Sequence, residues 1–170
     1  VARVSWQRRS WDLLGMLLWL LVLLTAEATT RVGFLTGNLD RATHGIAATS
    51  FAFLGFLSFA LARITVPVTN RILDPTEATS PYRPHPGRQN LAAGLILLAL
   101  AGDIAGLSVE ARGYLVLAAG AAFMDRAGEA FIGRQFFRAE ILCLFFAAAL
   151  AGAGLLMVGA ARLGAPLTET

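Results

Sequence analysis

The chain has 170 residues, 56% of them hydrophobic, only 15% charged, and its 14 basic residues are all arginine against 11 acids. Soluble domains run at about 45–50% apolar and about 25% charged, so this composition excludes an ordinary water-soluble globule. The net charge of +3 comes from scattered arginines with no Lys/Arg-rich block, which argues against nucleic acid as a partner. One cysteine, Cys143, rules out an intrachain disulfide framework, and two histidines, His44 and His85, leave few options for a metal centre.

In chain order, the apolar runs predict an all-α, polytopic transmembrane helical bundle of about five spans, at about 13–30, 42–66, 90–109, 113–133 and 139–161. The stretches 42–62 and 141–161 contain no Asp, Glu or Arg. The other three are interrupted: Glu27 in the first, Asp103 in the third, and Asp125, Arg126 and Glu129 in the fourth. No cleavage site follows the first run, which makes it a span rather than a signal peptide. Between the second and third spans, residues 67–89 carry prolines at 67, 75, 81, 84 and 86 and predict a water-exposed cytoplasmic connection. A tight turn around Glu110 to Arg112 separates spans three and four, with Ser108 or Glu110 as a cap.

Arginine asymmetry sets the orientation. With the N-terminus inside, Arg3, Arg8, Arg9, Arg63, Arg71, Arg83, Arg88, Arg134 and Arg138 are cytoplasmic, whereas Arg31, Arg41, Arg112 and Arg162 lie opposite. Trp6 and Trp11 suit the inner interface. The expected protein is therefore a multi-pass, N-in/C-out component of a bacterial inner membrane, with lipid as its surroundings.

This topology sorts the intramembrane polar residues into two layers. Glu27, His44 and Asp103 fall near the outer surface; Arg63, Asp125, Arg126 and Glu129 fall in the inner half. Asp125 and Glu129 share a face of one helix and repel; Arg63 or Arg134 could neutralise the pair, or one carboxyl could stay protonated. Buried charges are costly in a bilayer and tend to face the bundle interior or a cavity. One reading is a proton or ligand pathway between the two layers. The competing reading is snorkelling side chains and structural ion pairs. A bis-His haem site within one chain is excluded, because His44 and His85 fall on opposite sides; a single-His site at His44 stays open. Cys143 reads as an inert core thiol. Gly102 and Gly106 form a GxxxG, and residues 147–154 read AAALAGAG, both signals of close helix association with a second copy or a larger complex. No nucleophile–base pair, phosphate loop or metal-ligand spacing stands out, so no catalysis is assigned.

The segment Ala62-Arg63-Ile64-Thr65-Val66-Pro67-Val68-Thr69-Asn70-Arg71, preceded by the pair Arg8-Arg9 and followed by Gly102-Asp103 and two further helices, resembles one stretch of the NnrS-type family. These are polytopic membrane proteins associated with denitrification and nitric-oxide stress. The resemblance covers about residues 8–163 and implies an accessory or protective role in nitrogen-oxide metabolism. Family members are described as containing haem and copper. Where their last matching helix tends to read Leu-His-Leu-Gly-Tyr, this chain has Ile141-Leu142-Cys143-Leu144-Phe145-Phe146, so no histidine can be carried over there. Val1 fits a non-ATG start and an incomplete reading frame equally. Two other functions compete: a small transporter or proton-relay component working through Asp103, Asp125 and Glu129, and a structural subunit of a larger membrane complex.

Overall fold

A computed structural model describes residues 2–76 and 78–164, with side chains described from Leu14 onward except at Pro86. Among these residues the chain is all helix and turn: α1 (Ala2–Leu35), α2 (Leu39–Leu73), α3 (Pro86–Ile104), α4 (Val109–Gly128), a short 3-10 segment (Gly133–Phe137) and α5 (Ala139–Arg162). Three helices are long and apolar enough to cross a membrane: Leu14–Leu35 of α1, α2, and α5. At 19 and 20 residues, α3 and α4 are about 30 Å long, the thickness of a hydrocarbon core, but polar residues at their ends dilute their hydropathy. The side chains of Trp6, Trp11, Arg8 and Arg9 lie outside the described residues.

Successive helices run antiparallel, giving the bundle two unlike ends. The loop end carries the connection 74–85 and the α4–α5 junction. The turn end carries the α1–α2 turn, the α3–α4 turn and the C-terminus of α5.

Two hairpins dominate the packing, α1 with α2 and α4 with α5. Each closes along a seam where one helix presents glycine and the other fills its place. A Cβ on Gly55 would lie 2.1 Å from the Trp19 ring, and one on Gly45 2.6 Å from the Thr30 backbone nitrogen. In the second hairpin the backbones themselves meet: a Cβ on Gly120 would sit 3.0 Å from the Gly152 carbonyl oxygen, and one on Gly159 2.9 Å from the Leu117 nitrogen. Association within membranes depends on such close approach, because lipid is as apolar as the side chains it competes with. Trp19, Phe59, Ile96, Val116, Phe123 and Leu155 lie in the core between the hairpins and α3.

The structure moves several sequence-derived boundaries. α1 continues to Leu35 and α2 begins at Leu39, so the turn is three residues, with Gly37 at φ 68° and Asn38 Oδ1 accepting from the Arg41 amide at 2.9 Å. α2 passes through Pro67 for almost two more turns, shrinking the expected connection of 67–89 to 74–85. One proline costs a hydrogen bond and crowds the preceding turn. Here it does not end the helix, because Asn70 anchors the next turn to the returning chain: its amide donates to the Tyr82 carbonyl at 3.1 Å and accepts from the Tyr82 N–H at 2.8 Å. α4 starts at Val109, so Glu110 and Arg112 are helical rather than a turn; Ser108 is the cap, accepting from the Ala111 amide at 3.2 Å.

Gly102 and Gly106 are not an interface motif. Gly106 stands outside α3 at φ 73°, with the Leu107 amide donating to the Gly102 carbonyl at 2.8 Å and the Gly106 amide to the Asp103 carbonyl at 3.2 Å. That pattern is a Schellman C-cap, which requires a left-handed residue one past the helix end. Cys143 is exposed on the outside of α5 rather than in the core.

Candidate functional site

The two polar layers occupy opposite ends of the bundle, and their chemistry differs. At the loop end, α4 delivers Asp125, Arg126 and Glu129 toward α2, α3 and the connection. Arg126 Nη1 donates to the Ser58 carbonyl at 2.7 Å and Nη2 donates to the Gln89 carbonyl, so one side chain bridges α2 and α3. Ser58 is fully buried. Asp125 takes a two-pronged contact from Arg88, with Nε donating to Oδ2 at 2.6 Å and Nη2 to Oδ1 at 2.5 Å. Arg88 Nε also lies 3.3 Å from Glu129 Oε1, and the Tyr82 hydroxyl donates to Glu129 Oε2. The repulsion expected between Asp125 and Glu129 is thus relieved by Arg88, a residue of α3. Arg63 donates to Asn90 Oδ1 at 2.7 Å and lies 3.7 Å above the Phe59 ring. Arg134 is exposed in the 3-10 segment.

Arg88 and Tyr82 went unnoticed as partners because both fall in or beside the proline-rich stretch, where periodicity carries no information about pairing. Burial raises the Tyr82 phenol above its ordinary pKa, and its hydrogen bond to Glu129 pushes the same way. Asp74, at the exit of α2, is held down to about 2 by side-chain bonds from Thr76 and then Thr79, the latter also donating its amide at 2.7 Å.

At the turn end, His44 of α2 and Asp103 of α3 line one cleft of about 390 Å³, together with Asp40, Thr43, Arg112 and Arg162. Asp103 is paired with Arg112. Glu27 does not join them. The Thr30–Gly45 contact puts it near the level of Ala48, but it bonds along its own helix to Arg31 at 2.9 Å, both side chains well exposed. Shared depth therefore did not mean a shared face.

The family model described as NnrS protein matches residues 1–170. The chain belongs to the NnrS family. It is accordingly a membrane protein of a family tied to nitric-oxide stress. No curated protein and no solved structure matches it.

The haem and copper attributed to that family find no ligand set in the described residues. His44 and the N-terminus of α3 are separated by most of the length of α2, roughly 40 Å at 1.5 Å per residue. His85 is occupied as the α3 cap, its Nδ1 accepting from the Gly87 amide at 3.2 Å. Among the described residues no three His, Cys, Asp or Glu side chains converge on one point. His44 alone, exposed in the wall of the cleft, could offer one imidazole, which by itself is no ligand set for either group.

Proposed function

We propose that this NnrS-family chain is a multi-pass protein of the bacterial inner membrane, N-in/C-out, with an accessory or protective role in nitrogen-oxide metabolism. The family match over residues 1–170 carries the reading. The physical support is a bundle whose three span-length apolar helices expose Leu21, Leu24, Phe53, Leu150 and Met157 on their outer faces. Arg71, just before the connection, and Arg83, within it, favour the cytoplasmic side for the loop end under the positive-inside rule.

In this reading the charges of the loop end act as a clamp. Each of Asp125, Glu129 and Arg126 is satisfied by a group on another element, which suits holding α4 against α2 and α3 more than passing protons. Deleting the gene should raise sensitivity to a nitric-oxide donor, and expressing this chain should restore resistance. Unchanged sensitivity on deletion, in a strain without a second family member, would sink the proposal. A relay through Asp103, Asp125 and Glu129 predicts instead that Asp125→Asn abolishes the rescue while leaving the amount of protein in the membrane unchanged. The clamp predicts that both fall together.

A further inference from the structure

The cleft at the turn end does not stand alone. It shares Ala47, Phe51 and Arg162 with a second cavity of about 380 Å³ running down between α2 and α5. That lower part is lined by Leu54, Leu150, Leu155 and Val158, and the hydroxyl of Ser50 there donates to the Ile46 carbonyl at 3.0 Å. The result is one continuous depression with a charged mouth and an apolar shaft. From Leu150 to Arg162 the shaft follows α5 for about 18 Å, slightly more than half of a hydrocarbon core.

The mouth has a definite charge pattern. Asp103 and Arg112 neutralise each other. Asp40 and Arg162, opposite in sign, also line the mouth, and neither forms an ion pair with another described residue; Arg162 lies 5.1 Å above the Phe51 ring. Arg162 is the last residue of α5, whose 24 residues are about 36 Å long, so its guanidinium sits at headgroup level when the helix spans the membrane. Arg112 adds a buried Nε–H with no acceptor among the described residues.

We propose that this depression holds one phospholipid with a primary-amine, zwitterionic head: its phosphate at Arg162 and Arg112, its ammonium at Asp40, and one acyl chain in the α2–α5 shaft. A guanidinium fork matches a phosphate, and the three N–H donors of a primary ammonium match the Asp40 carboxylate and the Thr43 hydroxyl oxygen. A purely anionic head would meet Asp40 with like charge. A quaternary ammonium has no N–H to offer.

The test is native mass spectrometry of the full chain purified in mild detergent with equal amounts of phosphatidylethanolamine, phosphatidylglycerol and phosphatidylcholine. One phosphatidylethanolamine should be retained about tenfold over either competitor, the size of one charge-assisted hydrogen bond. Arg162→Gln should abolish retention of all three lipids. Asp40→Asn should erase the preference for the primary amine while phospholipid still binds. Gly154→Leu fills the shaft at a position where a Cβ meets nothing within 4 Å, so it should block binding without lowering thermal stability. Equal retention of the three lipids, a preference for phosphatidylglycerol, retention unaffected by Gly154→Leu, or a second copy of the chain occupying the groove would each overturn the proposal.

Discussion

The loop end and the turn end are built from similar residues and reach opposite results. At the loop end, Arg88 answers Asp125 and Glu129, Tyr82 completes Glu129, and Arg126 spends its donors on the backbone of Ser58 and Gln89. Little room remains there: the cavity beside Arg126 and Glu129 is about 10 Å³, space for about one water. At the turn end, the same kinds of side chain stand around a cleft of about 390 Å³, with Asp40 and Arg162 left without an ion-pair partner among the described residues. What separates the two ends is the chain around them. A twelve-residue connection folds back over the loop end and supplies Tyr82, whereas short turns cap the other end and cover nothing. A polar cluster in a helical bundle is closed or open according to the connections above it, more than by its own charges.

Substitutions test that contrast. The largest effect is expected for Arg126→Leu, which removes charge-assisted bonds to two backbone carbonyls and should cost about 2–3 kcal/mol in detergent unfolding. A cost equal to that of Arg162→Leu at the open end would break the comparison. Next comes Tyr82→Phe, which should cost about 1 kcal/mol near neutral pH by removing one hydrogen bond. It also has a pH signature. The folded phenol titrates above its ordinary value of about 10, so its contribution is complete below that value and is lost as pH rises through the raised one. The wild-type melting temperature should therefore drop more steeply above about pH 10 than that of Tyr82→Phe.

Smaller still is Arg112→Gln, which leaves Asp103 unpaired but partly hydrated and should cost under about 1 kcal/mol. Glu27→Gln, in an exposed pair with Arg31, should change stability by no more than about 0.5 kcal/mol. Asp74 gives the least: with its folded value at about 2, its stabilisation holds above the ordinary carboxylate range and fades as pH falls from about 4 toward 2. Asp74→Asn should remove that acid-side slope alone.

Much of the fold was legible before the structure, because apolar runs of span length and a proline-rich interruption have direct physical meanings. Five helices and their order follow from these, and so do the two charge layers. The family resemblance rested on the segment around Arg63 and Pro67, and the match over the whole chain confirms it. What the residues did not reveal is which side chains meet. Pro67 reads as a stop, yet the Asn70–Tyr82 bonds hold the helix beyond it. Gly102 and Gly106 read as an interface because spacing alone cannot tell a packing motif from a Schellman cap. Arg88 looked like a loop residue, and its reach to Asp125 depends on α3 starting at Pro86 rather than at 90. Glu27 and His44 share a depth but face different ways, a matter of helix rotation that composition does not encode.

In the orientation proposed above, the closed end of the bundle faces the cytoplasm and the open end faces away from it. Labelling with a membrane-impermeant maleimide tests it directly, in intact cells and after lysis, on a Cys143→Ala background. Thr36→Cys, in the α1–α2 turn, should label in intact cells, and Ser80→Cys, in the connection, only after lysis. Labelling of Ser80→Cys in intact cells, or protection of Thr36→Cys until lysis, would contradict the account.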